Sequence, residues 1–324
     1  MRHARVLSLL WIACACVMAP AIAQQDWPAK PIRIVVANSP GAATDLAGRV
    51  FADNLSRVTN RPVAVENRPG ADGYIAAEAV AKAAPDGYTI TLATTSTHVV
   101  APAAYPKLAY DALRDFAPVS LVAVTPYLLV VNPGFPAKTV RELVSHLKTR
   151  PGQYNYASAG AGSTTQIAME MLKLAAGLFV VHIPYNGNAP AGTAVVAGQV
   201  EILFGSMPAV LPLAKGGRVR AIAVGTLKRS PAMPEVPTVA ESGFPGFDAS
   251  LWLAVMTPAG VPAPILGRLH QEVLTIIGNK DNAAALDKAG AEAITSTPAE
   301  LTALIRDGVE KYSKVIKEAN IKVD

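Results

Sequence analysis

The chain has 324 residues, of which 51% are apolar and 16% charged, and it carries a formal net charge of +5. That length is sufficient for two domains with full hydrophobic cores, and that composition excludes an intrinsically disordered chain. The basic residues are scattered along the sequence, so no basic patch predicts a nucleic-acid partner.

The first 23 residues have the pattern of a secretory signal peptide. Arg2 and Arg5 precede an apolar run, and the small residues of "AIA" suit cleavage near Ala23. We therefore expect export to the periplasm, and cleavage lowers the net charge from +5 to +3. An uncleaved anchor and a lipoprotein signal are the alternatives. The chain's two cysteines, Cys14 and Cys16, lie in this segment, so the mature protein is expected to have neither a disulfide nor a thiol nucleophile.

Strand-like and helix-like segments alternate along the mature chain. In the first series, strands are predicted at Ile32–Ala37, Pro62–Asn67 and Tyr88–Thr97, helices at Thr44–Val58 and Tyr74–Ala84, and two long apolar strands within Pro118–Pro133. In the second series, helices are predicted at Thr139–Lys148 and Ala161–Gly177, and strands at Tyr154–Gly160, Phe179–Tyr185, Val200–Ser206 and Val219–Thr226. An apolar strand at Phe247–Gly260 precedes a helical tail with a capping box at Thr297–Glu300 and a core stripe of Leu301, Ile305, Val309, Tyr312 and Ile316.

Repeated βα units predict mostly parallel sheets with helices on both faces. Because the second series ends before the helical tail, we expect the tail to pack on the first domain and the chain to cross twice between the domains. The crossings are predicted near Thr125–Asn132 and Gly246–Trp252. The fold class is therefore α/β, with two lobes, a double-crossover hinge and a ligand cleft between the lobes. Two tandem domains are the alternative, but no Gly/Ser/Pro-rich linker separates the halves.

Two loops follow predicted strands, precede predicted helices and contain no cation. They are "SPGAATD", Ser39–Asp45, and "SAGAGSTT", Ser158–Thr165. Small residues let a ligand approach the backbone, and helix N-termini attract anions. The pattern is typical of a carboxylate site built from N–H groups and hydroxyls; ordinary tight βα turns are the alternative. The candidate residues are Ser39, Gly41, Ala42, Ala43, Thr44, Asp45, Ser158, Ala159, Gly160, Gly162, Ser163 and Thr164.

Two roles are open for Asp45. An acid in the first turn of a helix can pair with Arg49 four residues on. It can also orient a ligand hydroxyl, an ammonium group or a bridging water.

A hydroxyl-rich segment, "TTSTHVV", ends another predicted strand. Its candidate residues for the cleft are Thr95, Ser96, Thr97 and His98. A structural histidine with satisfied hydrogen bonds is the favoured interpretation of His98.

The sequence lacks the patterns of a metal or catalytic centre. The four mature histidines share no metal-ligand spacing, and no Gly-x-Ser-x-Gly elbow, complete dinucleotide fingerprint or P-loop lysine occurs. We expect no metal, no cofactor and no catalysis. A Ser-His-Asp triad stays open, because its members need not be adjacent in sequence.

Motifs across the whole mature chain occur in a characteristic order. They include "WPAKPIRIVVANSPGAATDLAGRV", "YASAGAGSTTQIAME" and "HIPYNGNAPAGTAVVAGQVEILFGSMPAVLP". Together they resemble the tripartite tricarboxylate transporter substrate-binding family, the Bug or TctC-type periplasmic receptors. The resemblance implies a type II, Venus-flytrap receptor in which N–H groups of the two loops hold a carboxylate. It also places residues around the cleft at Thr95–His98, Tyr185, Asn186, Gly187 and Gly205.

The sequence departs from the family pattern at several cleft positions. Gly205 stands where Asp is common, Gln166 where His is common and Ala42 where a second Gly is usual. Fewer polar partners and more room predict a larger or partly apolar acid, such as an aromatic carboxylate, rather than aspartate or citrate.

The combined prediction is a monomeric periplasmic solute-binding receptor. The lobes are expected at residues 24–125 plus 248–324 and at 126–247, after a signal peptide at 1–23. The receptor is expected to capture a small carboxylate and deliver it to the membrane subunits of a tripartite tricarboxylate transporter. One alternative is a ligand-sensing co-receptor for a sensor kinase. Another is a periplasmic hydrolase, which would need a Ser–His pair in the cleft.

Overall fold

The computed structural model describes residues 27–37, 40, 43–70, 73–105, 107–288 and 290–321. The strands are β1 (Ile32–Val36), β2 (Val63–Asn67), β3 (Thr89–Thr94), β4 (Phe116–Val131), β5 (Asn155–Ser158), β6 (Val181–Pro184), β7 (Ile202–Ser206), β8 (Arg220–Val224), β9 (Ser250–Pro258) and β10 (Glu292–Ala293). The helices are α1 (Ala43–Thr59), α2 (Tyr74–Ala81), α3 (Ala101–Ala104), α4 (Val140–Lys148), α5 (Thr164–Ala176), α6 (Asn188–Val196), α7 (Met207–Lys215), α8 (Ala263–Gly278), α9 (Lys280–Lys288) and α10 (Pro298–Glu318). A π-helical segment, Ser96–Val100, precedes α3.

The predicted signal peptide lies outside the described residues. In the part of the chain that is described, no helix has the length and apolar character needed to cross a bilayer.

The α/β fold has two lobes, each built on a mixed sheet. In the first sheet β1 pairs in parallel with β2 and β3, whereas β9 pairs antiparallel with β3 and with the first part of β4. In the second sheet β5 pairs in parallel with β6 and β7, whereas the second part of β4 pairs antiparallel with β7 and β8. The βα strands are thus parallel as predicted, and the antiparallel pairs come from the strands that cross between lobes.

A single strand, β4, replaces the two strands predicted within Pro118–Pro133. Its pairing with β9 ends at Pro126, and its pairing with β7 begins at Tyr127. Pro126 has no N–H to donate, so it is tolerated where the strand changes its partner. β4 therefore belongs to both sheets.

The segment before β9, where the chain returns to the first lobe, is linked to β4 beside Tyr127 through Gly225. Gly225 N donates to Tyr127 O at 2.7 Å, and Ala249 N donates to Gly225 O at 2.9 Å. A Cβ atom at Gly225 would lie 2.5 Å from Ala249 O, so only glycine fits between these segments. The two crossings thus form one compact junction between the lobes.

The C-terminal helix α10 packs on both lobes. Its predicted capping box is present, and Leu301, Ile305 and Tyr312 of the predicted stripe are buried. The helix contacts α3 and the π-helical segment in the first lobe and α5 in the second. This differs from a tail confined to the first domain, because a helix of 21 residues is about 30 Å long and extends past the junction.

A hydrophobic cluster on the α10 side continues from one sheet to the other. It includes Val35 of the first sheet, Leu129 on the second part of β4, and Tyr312 of α10. Clusters confined to one lobe cover the opposite faces, with Leu55 and Leu269 in the first and Leu203 in the second. The lobes therefore share part of their core.

Candidate functional site

The carboxyl ends of the parallel strands in the two sheets face each other across the junction. β4 runs in the same sense as β3, because both pair antiparallel with β9, and it leaves the first sheet where β1, β2 and β3 end. It enters the second sheet antiparallel to β7, and Tyr127 at the entry pairs with Ser206 at the end of β7. β5 and β6 run parallel to β7 and end at the same edge. Loops that follow these strands converge between the lobes.

The loop between β5 and α5 uses most of its own donors internally. The bonds run from Ala159 N to Thr165 Oγ1 (2.9 Å), Gly160 N to Ser158 Oγ (3.1 Å), Gly162 N to Gln166 Oε1 (2.7 Å) and Ser163 N to Gly160 O (3.3 Å). Several predicted binding residues thus shape the loop. Among the described residues, no acceptor is bonded to the N–H groups of Ala161, Thr164 and Thr165, which remain for a ligand.

Ser158 and His182 form the Ser–His pair that a hydrolase would need. Ser158 Oγ lies 2.6 Å from His182 Nε2, and burial lowers the pKa of His182. However, the Ser158 side chain is 0% exposed, and its Oγ also bonds to Gly160 O at 2.9 Å. A substrate carbonyl cannot reach this oxygen, so the pair holds the loop rather than acting as a nucleophile and base.

A buried polar network supports the same loop from α5. Tyr156 Oη donates to Glu170 Oε1, which also accepts from Lys173 Nζ at 2.7 Å. Gln166 Oε1 accepts from Gly162 N, and the Gln166 side chain opposes the rise in the pKa of the Tyr156 hydroxyl. Burial, followed by the Glu170 charge, raises the pKa of Tyr156, so its hydroxyl stays protonated. The network connects the middle of α5 to the loop.

The loop after β6 lies beside the loop after β5. Tyr185 N donates to Ser158 O at 3.1 Å, and Gly187 N donates to Ala159 O at 3.0 Å. Tyr185 and Gly187 are half-buried, and Asn186 is exposed.

Gly205 lies at the end of β7, but the expected room beside it is absent. A Cβ atom at Gly205 would lie 2.4 Å from Val210 Cγ1 and 3.2 Å from Leu203 Cδ2. Val210 of α7 fills the space, so the hypothesis of a widened cleft at this position is wrong. The next residue, Ser206, is half-buried at the strand end. It is a candidate binding residue that the sequence analysis does not include. A sequence pattern that could have indicated it is a hydroxyl residue between a strand and a helix that begins with Met-Pro.

Three of the four residues predicted after β3 face inward. Thr95 Oγ1 accepts from Trp252 N at 3.0 Å and bonds to Ser250 O, which ties the end of β3 to β9. Thr97 exchanges hydrogen bonds with Thr94. The side chains of Thr95 and Thr97 are buried, and Ser96 is half-buried. Ser96 is therefore the residue of this segment that can reach a ligand.

His98 lies in the core of the first lobe and not in the cleft. Its side chain is 0% exposed, its ring centroid is 4.6 Å from that of Phe116, and Nδ1 is 2.9 Å from Thr97 Oγ1. Burial lowers the pKa of His98 to about 3, so the ring is neutral. The favoured structural role is thus observed, although Nε2 has no partner among the described residues.

Asp45 makes the ion pair with Arg49 that the first of its two open roles describes. It is 1% exposed and accepts from Arg49 Nε at 3.0 Å and from Asn67 Nδ2 at 2.8 Å. Thr44 beside it is half-buried at the start of α1. The predicted residues Ser39, Gly41 and Ala42 lie outside the described residues, and Ala43 begins α1.

Metal-ligating side chains do not cluster in the described part of the chain: no three His, Cys, Asp or Glu residues come together there.

Residues 47–321 match the model of the tripartite tricarboxylate transporter family receptor. The chain is 35% identical to Protein BugT of Bordetella pertussis over 326 residues, covering 100% of each protein.

Two solved structures similar to this chain are ligand complexes. Rpa4515 of R. palustris with adipate is 33% identical with a TM-score of 0.77, covering 91% of this chain and 99% of that one. MatC (Rpa3494) from Rhodopseudomonas palustris with bound malate is 32% identical with a TM-score of 0.72, covering 89% and 99%.

Proposed function

Because the chain belongs to the tripartite tricarboxylate transporter family of receptors, which are solute-binding proteins and not enzymes, we propose that it captures a small carboxylate between its lobes. In this proposal it works in the periplasm and delivers the solute to the membrane subunits of a tripartite transporter. The lobes are residues 24–125 plus 248–324 and residues 126–247, with α10 shared between them.

One observation carries the carboxylate assignment. The N–H groups of Thr164 and Thr165 and the Thr164 hydroxyl lie at the start of α5, at the edge that faces the first lobe, and the N–H group of Ala161 lies in the loop just before it. Hydrogen bonds to a charged group contribute about 1.5–3 kcal/mol each. Four of them, less the cost of ordering ligand and loops, fit roughly micromolar binding. The helix dipole adds to this preference for an anion.

The similar structures hold adipate and malate, which are both dicarboxylates. A second carboxylate would be held from the first lobe, where the half-buried candidates are Thr44 at the start of α1 and Ser96 after the end of β3. A ligand that bonds to both lobes favours their closure, because only the closed state offers both sets of donors.

Closure in this molecule is constrained by the shared core. The junction at Tyr127, Gly225 and Ala249 is hydrogen-bonded, and α10 packs on α5 as well as on the first lobe. We therefore expect the second lobe to rotate about the junction while α5 shifts against α10.

Ligand binding is tested with the purified protein by thermal shift and calorimetry. The panel contains adipate, malate, citrate and benzoate, with adipamide as the uncharged analogue of adipate. We expect a rise in melting temperature with at least one carboxylate that grows with its concentration, and none with adipamide. Carboxylates that stabilise the protein no better than adipamide would contradict the proposal.

Delivery is tested separately with the cognate membrane subunits in proteoliposomes. Uptake of the labelled carboxylate is expected only when the liganded receptor is present. Uptake that is independent of the receptor would contradict the delivery role and leave the binding role standing.

A further inference from the structure

Tyr127 connects the junction between the lobes to the start of α5. Its Oη donates to Thr164 Oγ1 at 2.5 Å, and its side chain is 1% exposed. Tyr127 lies on β4 where the strand changes sheets, and Thr164 is the first residue of α5. The strand that both lobes share is therefore bonded to a residue of the candidate site.

The direction of this hydrogen bond determines what the Thr164 hydroxyl can do. Tyr127 Oη is the donor to Thr164 Oγ1, and burial raises the pKa of Tyr127, so the donated proton is retained at neutral pH. Thr164 Oγ1 is then an acceptor toward Tyr127, and its own proton must point elsewhere. Among the described residues, no acceptor is bonded to that proton.

The surroundings of Thr164 favour an anion as the acceptor for that proton. The N–H groups of Thr164 and Thr165 have no acceptor among the described residues, and they lie at the positive end of α5. A carboxylate oxygen there can accept from these N–H groups and from the Thr164 hydroxyl together.

We propose that Tyr127 is a positioning residue for the bound carboxylate, an inference that rests on the proposed function. By donating to Thr164, it fixes the hydroxyl in the orientation that donates to the ligand. Tyr127 itself does not touch the ligand. Because it lies on the shared strand, it also fixes this donor relative to the junction, so the donor is preorganised before the lobes close.

The proposal is tested by calorimetry on Tyr127→Phe, Thr164→Val, Thr164→Ser and the Tyr127→Phe/Thr164→Val double variant. The probe is the panel carboxylate, adipate or malate, that binds the wild type more tightly. We expect about a tenfold weaker Kd for Tyr127→Phe and for Thr164→Val, which corresponds to one oriented hydrogen bond. Thr164→Ser should retain most of the affinity. The double variant should bind no more weakly than Thr164→Val alone.

Tyr110→Phe is the matched control. Tyr110 is also a buried tyrosine whose hydroxyl donates at 2.5 Å, but its acceptor is Thr97 O in the core of the first lobe. It should lower the melting temperature without changing Kd. Wild-type affinity in Tyr127→Phe or in Thr164→Val would overturn the positioning role, and Thr164→Val, at a half-buried position, decides the question if Tyr127→Phe does not fold. A wild type that binds no carboxylate would instead contradict the proposed function.

Discussion

Asp45 and Asn67 are joined by a 2.8 Å hydrogen bond from Asn67 Nδ2 to Asp45 Oδ1. Asp45 lies in the first turn of α1, and Asn67 ends β2. Arg49 completes the group by donating to Asp45 Oδ2 at 3.0 Å and to Asn67 Oδ1 at 3.1 Å. The first helix is thereby fixed to a neighbouring strand end of its own lobe.

Asp45→Ala should reduce the free energy of unfolding by about 2 kcal/mol, because the Asn67 amide and Arg49 lose a buried charged acceptor. Urea unfolding measures the change. Asp53→Ala is the control, since Asp53 is an exposed acid on the same helix and should change the stability by less than about 0.5 kcal/mol. Equal stabilities of the two variants would contradict a structural role for Asp45.

Gly205→Ala should destabilise the second lobe. The added Cβ would lie 2.4 Å from Val210 Cγ1, and such overpacking costs about 1–3 kcal/mol. The Gly205→Ala/Val210→Ala double variant should lose less stability than the sum of the two single variants, because each change makes room for the other.

Gly267→Ala serves as the control for the change in backbone entropy. Gly267 lies in α8, and a Cβ there would meet nothing within 4 Å, so the variant should be more stable by about 0.5–1 kcal/mol. Melting curves test both substitutions. A Gly205→Ala variant as stable as the wild type would show that the Val210 side chain can shift away from β7 at little cost in free energy.

His98 should make the fold sensitive to acid. Its pKa is about 3 in the folded protein against 6.5 as the ordinary value, so the unfolded chain binds a proton that the folded chain refuses. The free energy of unfolding is therefore unaffected by His98 at a pH above its ordinary pKa of 6.5, and it falls as the pH drops below that pKa. The loss amounts to about 2 kcal/mol at about pH 5, and it would cease only below the folded pKa.

The measurement is the free energy of unfolding at about pH 7.5 and at about pH 5 for the wild type and His98→Phe. Phenylalanine suits the aromatic contacts with Phe116 and Tyr110 but has no titrating group. The difference between the two pH values should shrink by about 2 kcal/mol in the variant. An unchanged difference would mean that other groups cause the acid sensitivity.

The sequence predicts the architecture well because periodicity and capping are local signals. Thr297 and Glu300 form the predicted capping box, and α5 ends at Gly177, which has the left-handed conformation. The path of the tail is different. The apolar stripe indicates that one face of α10 is buried. That this face contacts both lobes depends on the length of the helix and on the relative placement of the lobes.

The candidate site is less predictable, because donors that look available in the sequence are used within the fold. Thr95 and Thr97 have the right residue type at a strand end, yet both are bonded internally and buried. No sequence pattern indicates the role of Tyr127, since that role depends on the placement of β4 against the start of α5. Such pairings between distant segments cannot be obtained from spacing along one chain.

Gln166 should affect ligand affinity through the loop that it holds. Its Oε1 accepts from Gly162 N at 2.7 Å. Gln166→Leu keeps the approximate size of the side chain but removes the bond to Gly162 N, so the loop between β5 and α5 loses an internal support. We expect a loss of about 1–2 kcal/mol in the free energy of unfolding and a Kd weaker by about tenfold, measured by urea unfolding and calorimetry.

The matched control is Gln199→Leu, the same change at an exposed position after α6, where neither quantity should move. The two readouts separate the roles of Gln166. If Gln166 only fills the core, the stability falls and the affinity of the remaining folded protein is unchanged. If it preorganises the donors of Ala161 and Thr164, the affinity falls even under conditions where the variant is fully folded, because the ligand must then order the loop on binding.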